Sequence, residues 1–249
     1  MVEPPGWGVH RGEQGNRLVG SGPDTLLPHA AWLSIRSFCR LAVRSIDVYA
    51  TGLEHVPATG PVVLASRHYH YTYDGIAIYA VIQRELRAVA ALDWLPPGRV
   101  RGLLEAACRT AGWPAVLREP LRGMNDRETE RERRVLLLQA SREAVDLLRD
   151  GKALLIFPEA YPVVDPHATP QRADGEMLPF QPGTARFAVL AARQLSTPIP
   201  VVPIGMRYTR GRRWRLELAC GEPVLIGPDS DLDERLATLE SEVRRLSGL

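Results

Sequence analysis

A single α/β domain, built on a mixed and mostly parallel sheet flanked by helices, is the architecture this sequence predicts. Three observations predict it. Short apolar runs (Pro61 to Ser66, Ala153 to Phe157, Ile199 to Met206) show no polar alternation, as strands covered on both faces do. Longer amphipathic segments separate them, the order expected of strands joined by helical crossovers. The length, 249 residues, suits one sizeable core, and no linker-like stretch divides it.

Residues 1–27 are rich in Gly, Pro and charge and show no periodicity, so a poorly ordered arm is expected there, with the domain filling 28–249. From Pro28 to Asp47, Trp32, Ile35, Cys39, Val43 and Ile46 recur at helical spacing. Arg36, Arg40 and Arg44 form a basic stripe on the same segment. Such a helix can lie on an anionic membrane or simply pack one face on its own core. A short strand runs from Asp47 to Leu53, closing at Gly52, and a buried one from Pro61 to Ser66. Gly75 to Leu86 reads as an inside helix, and Leu86 to Leu92 as a third strand.

Pro96-Pro97-Gly98 breaks the chain before a helix over Val100 to Thr110 and a short apolar strand, Pro114 to Leu117. The charge run Asp126 to Arg134 mixes both signs and reads as the solvated start of a helix ending near Gly151. Ala153 to Phe157 is a strand stopped by Pro158-Glu159, and Tyr161 to Glu176 a proline-bearing loop. A helix over Thr184 to Gln194, strands over Ile199 to Met206 and Trp214 to Ala219, and a closing helix over Asp231 to Leu246 complete the pattern.

Composition narrows the function. A formal net charge of +2 with locally mixed signs gives no basic face for nucleic acid. Cys39, Cys108 and Cys220 are far apart and odd in number, which fits neither a disulfide framework nor a zinc site and suggests buried thiols in a reducing compartment. Neither a signal peptide nor an apolar run near the roughly 20 residues of a spanning helix is visible, so a cytoplasmic protein is expected, at most peripheral on the inner membrane face.

The polar cluster Ser66-Arg67-His68-Tyr69-His70 follows a buried strand, and Asp74 stands four residues beyond it, where a helix begins. Strand-end loops on a rigid scaffold are where α/β folds keep their chemistry. Either His68 or His70 could serve as a general base near neutral pH, with Asp74 either capping the helix alone or capping it and orienting the ring as well. The pair partly resembles the binuclear metallohydrolases of the metallo-β-lactamase type. Thr72 and Tyr73 stand where those carry further ligands, so no metal is expected. Taken alone, Arg118 is a strand-end cation and Glu159 a loop carboxylate.

Four blocks in sequence order carry a more specific resemblance: SRHYHYTYD, GWPAVLR, IFPEA and PIPVVP, with LPFQPGTARFAVLAA between the last two. Together they resemble the glycerolipid acyltransferase family, typified by the bacterial lysophosphatidic acid (1-acylglycerol-3-phosphate) acyltransferases, over about Ser34 to Pro228. The resemblance implies a glycerol-phosphate acyltransferase-like fold. It implies a histidine base that deprotonates an acceptor hydroxyl, and an aspartate that holds the imidazole. The acyl donor would be acyl-CoA or acyl carrier protein, with no cofactor, no metal and a lipid acceptor. Substrate contacts would come from Arg67, Arg118, Glu159 and Gly183, and membrane contact from residues 30–46. The sequence carries no signal for an oligomeric state.

Three departures stand out. The family leaves four residues between histidine and aspartate, whereas His68 leaves five and His70 three. His68 holds the family's place directly after the strand and is the favoured base, with His70 second. Phe-Pro-Glu is followed by Ala160-Tyr161-Pro162, without the family's glycine or phosphate-gripping arginine, and Gln181 replaces a lysine. Arg118, Arg172 and Arg186 are the cations left, so the acceptor is expected to differ from lysophosphatidate. A non-catalytic acyl-chain-binding relative and a thioester hydrolase are the competing functions.

Overall fold

The computed structural model describes residues 23–95, 98–118, 127–165, 173 and 175–249. The chain runs α1 (Pro23–Ala42), β1 (Asp47–Thr51), β2 (Val62–Ser66), α2 (Tyr73–Val81), β3 (Leu86–Ala88), β4 (Ala90–Ala91), α3 (Arg99–Ala111) and β5 (Ala115–Val116). It continues with α4 (Arg127–Arg149), β6 (Ala153–Ile156), α5 (Gly183–Leu195), β7 (Ile199–Arg210), β8 (Trp214–Cys220), β9 (Val224–Ile226) and α6 (Leu232–Leu246).

Seven strands form one sheet in the order β1-β8-β7-β2-β6-β3, with β9 beside β7. β2 is parallel to both β6 and β7, β3 is parallel to β6, and β1 is parallel to β8. Among the described residues, only β7 with β8 and β7 with β9 run antiparallel. The α/β reading therefore holds, and the covered apolar runs are its centre: all five residues of β2 are fully buried.

Alternation along the central strands builds two cores. Val63, Ala65, Leu154 and Ile156 point to one face, where they meet Leu148 of α4, Ala188 of α5 and Val243 of α6. Val62, Leu64, Ala153 and Leu155 point to the other, against Trp32 and Cys39 of α1 and Ile78 of α2. All three cysteines are buried and unpaired.

Several boundaries differ from the sequence reading for identifiable reasons. Helix α1 opens at Pro23, so residues 23–27, assigned to the arm, belong to a helix. The rest of that arm, residues 1–22, lies outside the described residues, as do Asp126 and Arg172. Helix α2 stops at Val81 rather than Leu86, because Ile82 turns to extended backbone. The strand expected over Leu86 to Leu92 changes partners midway: β3 pairs with β6, while β4 leaves to form a two-stranded sheet with β5. Strand β9 lacked any sequence signal; it is three residues long and has meaning only as a partner of β7. Gly52 does end β1, and must: its φ is 69°, and a Cβ there would lie 2.0 Å from the Cys220 carbonyl oxygen.

This topology fixes where a site can form. From β2 the chain crosses to β3 through α2 on one face, while from β6 it crosses to β7 through α5 on the other. The carboxyl ends of the neighbouring strands β2 and β6 are thus a switch point, with a crevice between departing loops.

Candidate active site

The turn that leaves β2 is organised around one carboxylate. Asp74, the second residue of α2, is fully buried. Its Oδ2 lies 3.0 Å from Nδ1 of His68 and accepts backbone N–H groups of Tyr69 at 2.7 Å and His70 at 2.9 Å. Its Oδ1 accepts the phenol of Tyr208, from β7, at 2.7 Å. A buried carboxylate is tolerated only when such donors replace its water. Burial and the charge of Asp74 push the Tyr208 phenol strongly upward, so it stays protonated and donates.

The expectation that Asp74 caps the helix is corrected here. Its carboxylate reaches back to the preceding turn, not forward to the helix. The N-cap position is Thr72, whose own side chain makes no capping bond. The side chain that serves the helix start is His70, whose Nδ1 accepts the backbone N–H groups of Thr72 at 3.2 Å and Tyr73 at 3.3 Å. His70 is buried among Tyr71, Tyr73, Tyr208 and Trp214. Burial lowers its proton affinity, with Asp74 partly opposing, and the neutral ring supplies the acceptor lone pair. It meets Asp74 through its backbone: its N–H donates to the carboxylate, and its carbonyl accepts the Asp74 N–H at 3.4 Å.

His68 occupies the other flank. Its ring stacks on Phe157, just past β6, with centroids 4.3 Å apart and planes 22° from parallel. Its backbone N–H donates to Oε1 of Glu159 at 2.7 Å, and the other oxygen of Glu159 accepts the Leu178 N–H at 3.1 Å. Glu159, expected to meet substrate, is thus buried and accepts backbone N–H groups with both oxygens, tying the β6 turn to the β2 turn. Strand ends from two crossovers therefore hold one imidazole by backbone, ring face and Nδ1.

His68 lines a cavity of about 570 Å³ on the α1–α2 side of the sheet. Its wall is mainly apolar, with Phe38, Ile76, Tyr79, Trp94 and Trp113 among the contributors. Cys39 also lines it, but burial pushes that thiol up to about 11, so it remains protonated. Arg118 faces the cavity from just beyond β5, and Asp165 from the loop after β6.

The other expected contacts are placed elsewhere. Arg67 is buried, donates from Nη1 to the Met206 carbonyl at 2.9 Å and lies over the Tyr69 ring, so it braces β7 and does not line the cavity. Gly183 opens α5, which packs on the opposite face. Arg186, on the same helix, does not line the cavity either. Sequence reasoning missed Tyr208, Phe157, Asp93 and Asp165. The only signal for Tyr208 was β7 running past Met206, which brings residue 208 above the β2 turn. Among the described residues, no group of three metal-ligating side chains converges.

A strand-end histidine bonded to a buried aspartate thus opens onto an apolar cavity. The model of the acyltransferase family matches residues 47–207, well over half of the chain and both His68 and Asp74, and the protein belongs to that family. No sequence among the curated proteins matches it. Among solved structures, it is similar to the 1-acyl-sn-glycerophosphate (LPA) acyltransferase PlsC from Thermotoga maritima, with 20% identity and a TM-score of 0.57. The match covers 89% of this chain and 80% of that one, and at this identity it is a likeness of fold.

Proposed function

We propose that the protein moves a fatty acyl group from acyl-CoA or acyl carrier protein to a hydroxyl of a glycerolipid or lysophospholipid, with His68 as general base and Asp74 fixing its ring. The observation that carries this reading is the 3.0 Å contact between Nδ1 of His68 and Oδ2 of Asp74 at the wall of the cavity. With Nδ1 engaged, Nε2 is the nitrogen that takes the acceptor proton as the hydroxyl oxygen attacks the thioester carbon. Collapse of the tetrahedral adduct breaks the carbon–sulfur bond, and the imidazolium returns the proton to the departing thiolate. The products are an ester and a free thiol. General-base help of this kind contributes typically 10²–10⁴-fold, and the apolar cavity adds proximity.

Access fits a lipid substrate. Helix α1 leaves Leu26, Leu27, Leu33, Phe38 and Leu41 exposed, and Tyr71 and Trp94 stand half-exposed at the cavity. Arg40 and Arg44 are exposed on the same stretch. Apolar residues beside basic ones suit an anionic membrane surface, so residues 30–46 serve as the peripheral contact. Among the described residues, no helix is long and apolar enough to cross a membrane.

Thiol release from acyl-CoA, measured with and without a lipid alcohol, tests the reading. Release that depends on the alcohol and vanishes in His68→Ala supports transfer. Release without an alcohol would make the protein a hydrolase, and no release under either condition would leave acyl-chain binding.

A further inference from the structure

Resting on the acyl-transfer reading, we infer that Asp93 sets acceptor choice by neutralising Arg118, so the acceptor is a lipid alcohol without a phosphate monoester. A cation on the cavity wall is where an anionic headgroup would be held, and among the described residues Arg118 is the only arginine or lysine that lines it. Its guanidinium is already committed. Nε lies 2.9 Å from both oxygens of Asp93, and Nη2 is 2.9 Å from Oδ2. The Arg118 backbone N–H also donates to Asp93, at 3.2 Å. Nη1 donates to the Ala160 carbonyl at 2.7 Å, and the guanidinium face rests on Tyr161, 4.1 Å from the ring centroid. Carboxylate, carbonyl and ring thus take up the fork a phosphate would need.

The arrangement is a brace. Asp93 follows β4, Arg118 follows β5, and Ala160 follows β6, so one side chain ties three strand ends together beside the cavity. Arg118 is 13% exposed and Asp93 25%, so much of this pair is shielded from water, and an incoming phosphate would have to displace the carboxylate. A glycerol hydroxyl or a zwitterionic headgroup needs no such displacement.

The test compares kcat/KM for three acceptors, monooleoylglycerol, oleoyl-lysophosphatidylcholine and oleoyl-lysophosphatidate, with oleoyl-CoA as donor and thiol release as readout. The wild-type protein is expected to favour one of the first two over lysophosphatidate by at least about tenfold. Asp93→Asn, which unmasks the guanidinium, is expected to move that ratio at least about tenfold toward lysophosphatidate, with the gain fading as salt rises. A ratio is independent of how much variant protein folds. Arg118→Gln is the second arm: here it lowers all acceptors alike and leaves the ratio unmoved. Wild-type preference for lysophosphatidate, or its selective loss in Arg118→Gln, would overturn the inference while leaving acyl transfer intact. An unmoved ratio in Asp93→Asn would overturn it too. Absence of release with every acceptor would instead sink the acyl-transfer reading on which it rests.

Discussion

The turn after β2 has two flanks, and an imidazole sits on each. On the cavity flank, His68 has Nδ1 against Asp74, its face on Phe157 and its backbone held by Glu159. On the aromatic flank, two residues on, His70 has Nδ1 turned to the N–H groups that open α2. Both rings were candidates for one role, and chemistry alone does not separate them. The partner of Nδ1 does. An imidazole whose Nδ1 accepts backbone N–H bonds is a neutral cap, while one whose Nδ1 meets a carboxylate is set up to receive a proton at Nε2.

The sharpest way to break this contrast is to remove each ring in turn. His68→Ala is expected to lower kcat by about 10²–10⁴-fold, the range of general-base catalysis. His70→Asn keeps an acceptor for the Thr72 and Tyr73 N–H groups, and its kcat is expected to stay within about threefold. Steady-state thiol release on both variants checks this, and the reverse pattern would exchange the two roles.

A smaller effect tests the carboxylate between the flanks. Tyr208 is the sole donor seen at Oδ1 of Asp74 among the described residues, and hydrogen bonds to charged groups contribute about 1.5–3 kcal/mol. Tyr208→Phe keeps the ring stacked on Tyr69 and removes only the hydroxyl. We expect kcat to fall about tenfold, since a less well held carboxylate orients His68 less well, with the KM for acyl-CoA little changed. A drop in KM affinity without a drop in kcat would place Tyr208 in substrate binding instead.

What could be read from the sequence followed physical scale. β2 and β6 were legible because strands covered on both faces must be apolar throughout, and the histidine–aspartate turn was legible because polar residues directly after such a strand are conspicuous. The choice between His68 and His70 favoured the ring the structure brings to Asp74. Three features were not legible. Tyr208 lies 134 residues from Asp74, so their bond depends on β7 and β2 being neighbours. Asp93 meets Arg118 only because β4 leaves the main sheet to pair with β5. The burial of Glu159 and Arg67 against backbone groups was the third, because exposed polar groups and those buried to satisfy backbone look alike in one dimension.

The aromatic flank also predicts a pH dependence. The folded environment disfavours protonated His70, mainly by desolvation, so its folded value lies below the ordinary 6.5. Between the two values the unfolded chain binds more protons, so stability rises with pH in that window. The contribution is complete above 6.5 and is lost as pH falls toward the folded value. Asp74 and Asp165 oppose the shift, and His68 adds to it. Between about pH 7.5 and 5.5, the wild-type protein is expected to lose more stability than His70→Asn. Urea unfolding of both proteins at the two pH values measures it, and parallel losses would remove His70 as the cause.

The smallest expected effect lies across the crevice, in the turn after β6. Ala160 has a φ of 65°, a left-handed conformation in which a Cβ crowds the following carbonyl at a cost of about 1–2 kcal/mol. The turn imposes it: the Ala160 N–H donates back to the Phe157 carbonyl at 3.0 Å, and its own carbonyl takes the Arg118 guanidinium. Glycine, which holds this place in the family's Phe-Pro-Glu-Gly block, adopts such angles freely but loses about 0.5–1 kcal/mol to the greater freedom of the unfolded chain. The balance favours Ala160→Gly by about 0.5–1 kcal/mol, or a rise of roughly 1–4 °C in Tm for a chain of this size. A fall in Tm would mean that the methyl group makes packing contacts worth more than the strain. The β6 turn would then be held by its side chains, as the β2 turn is, rather than by its backbone.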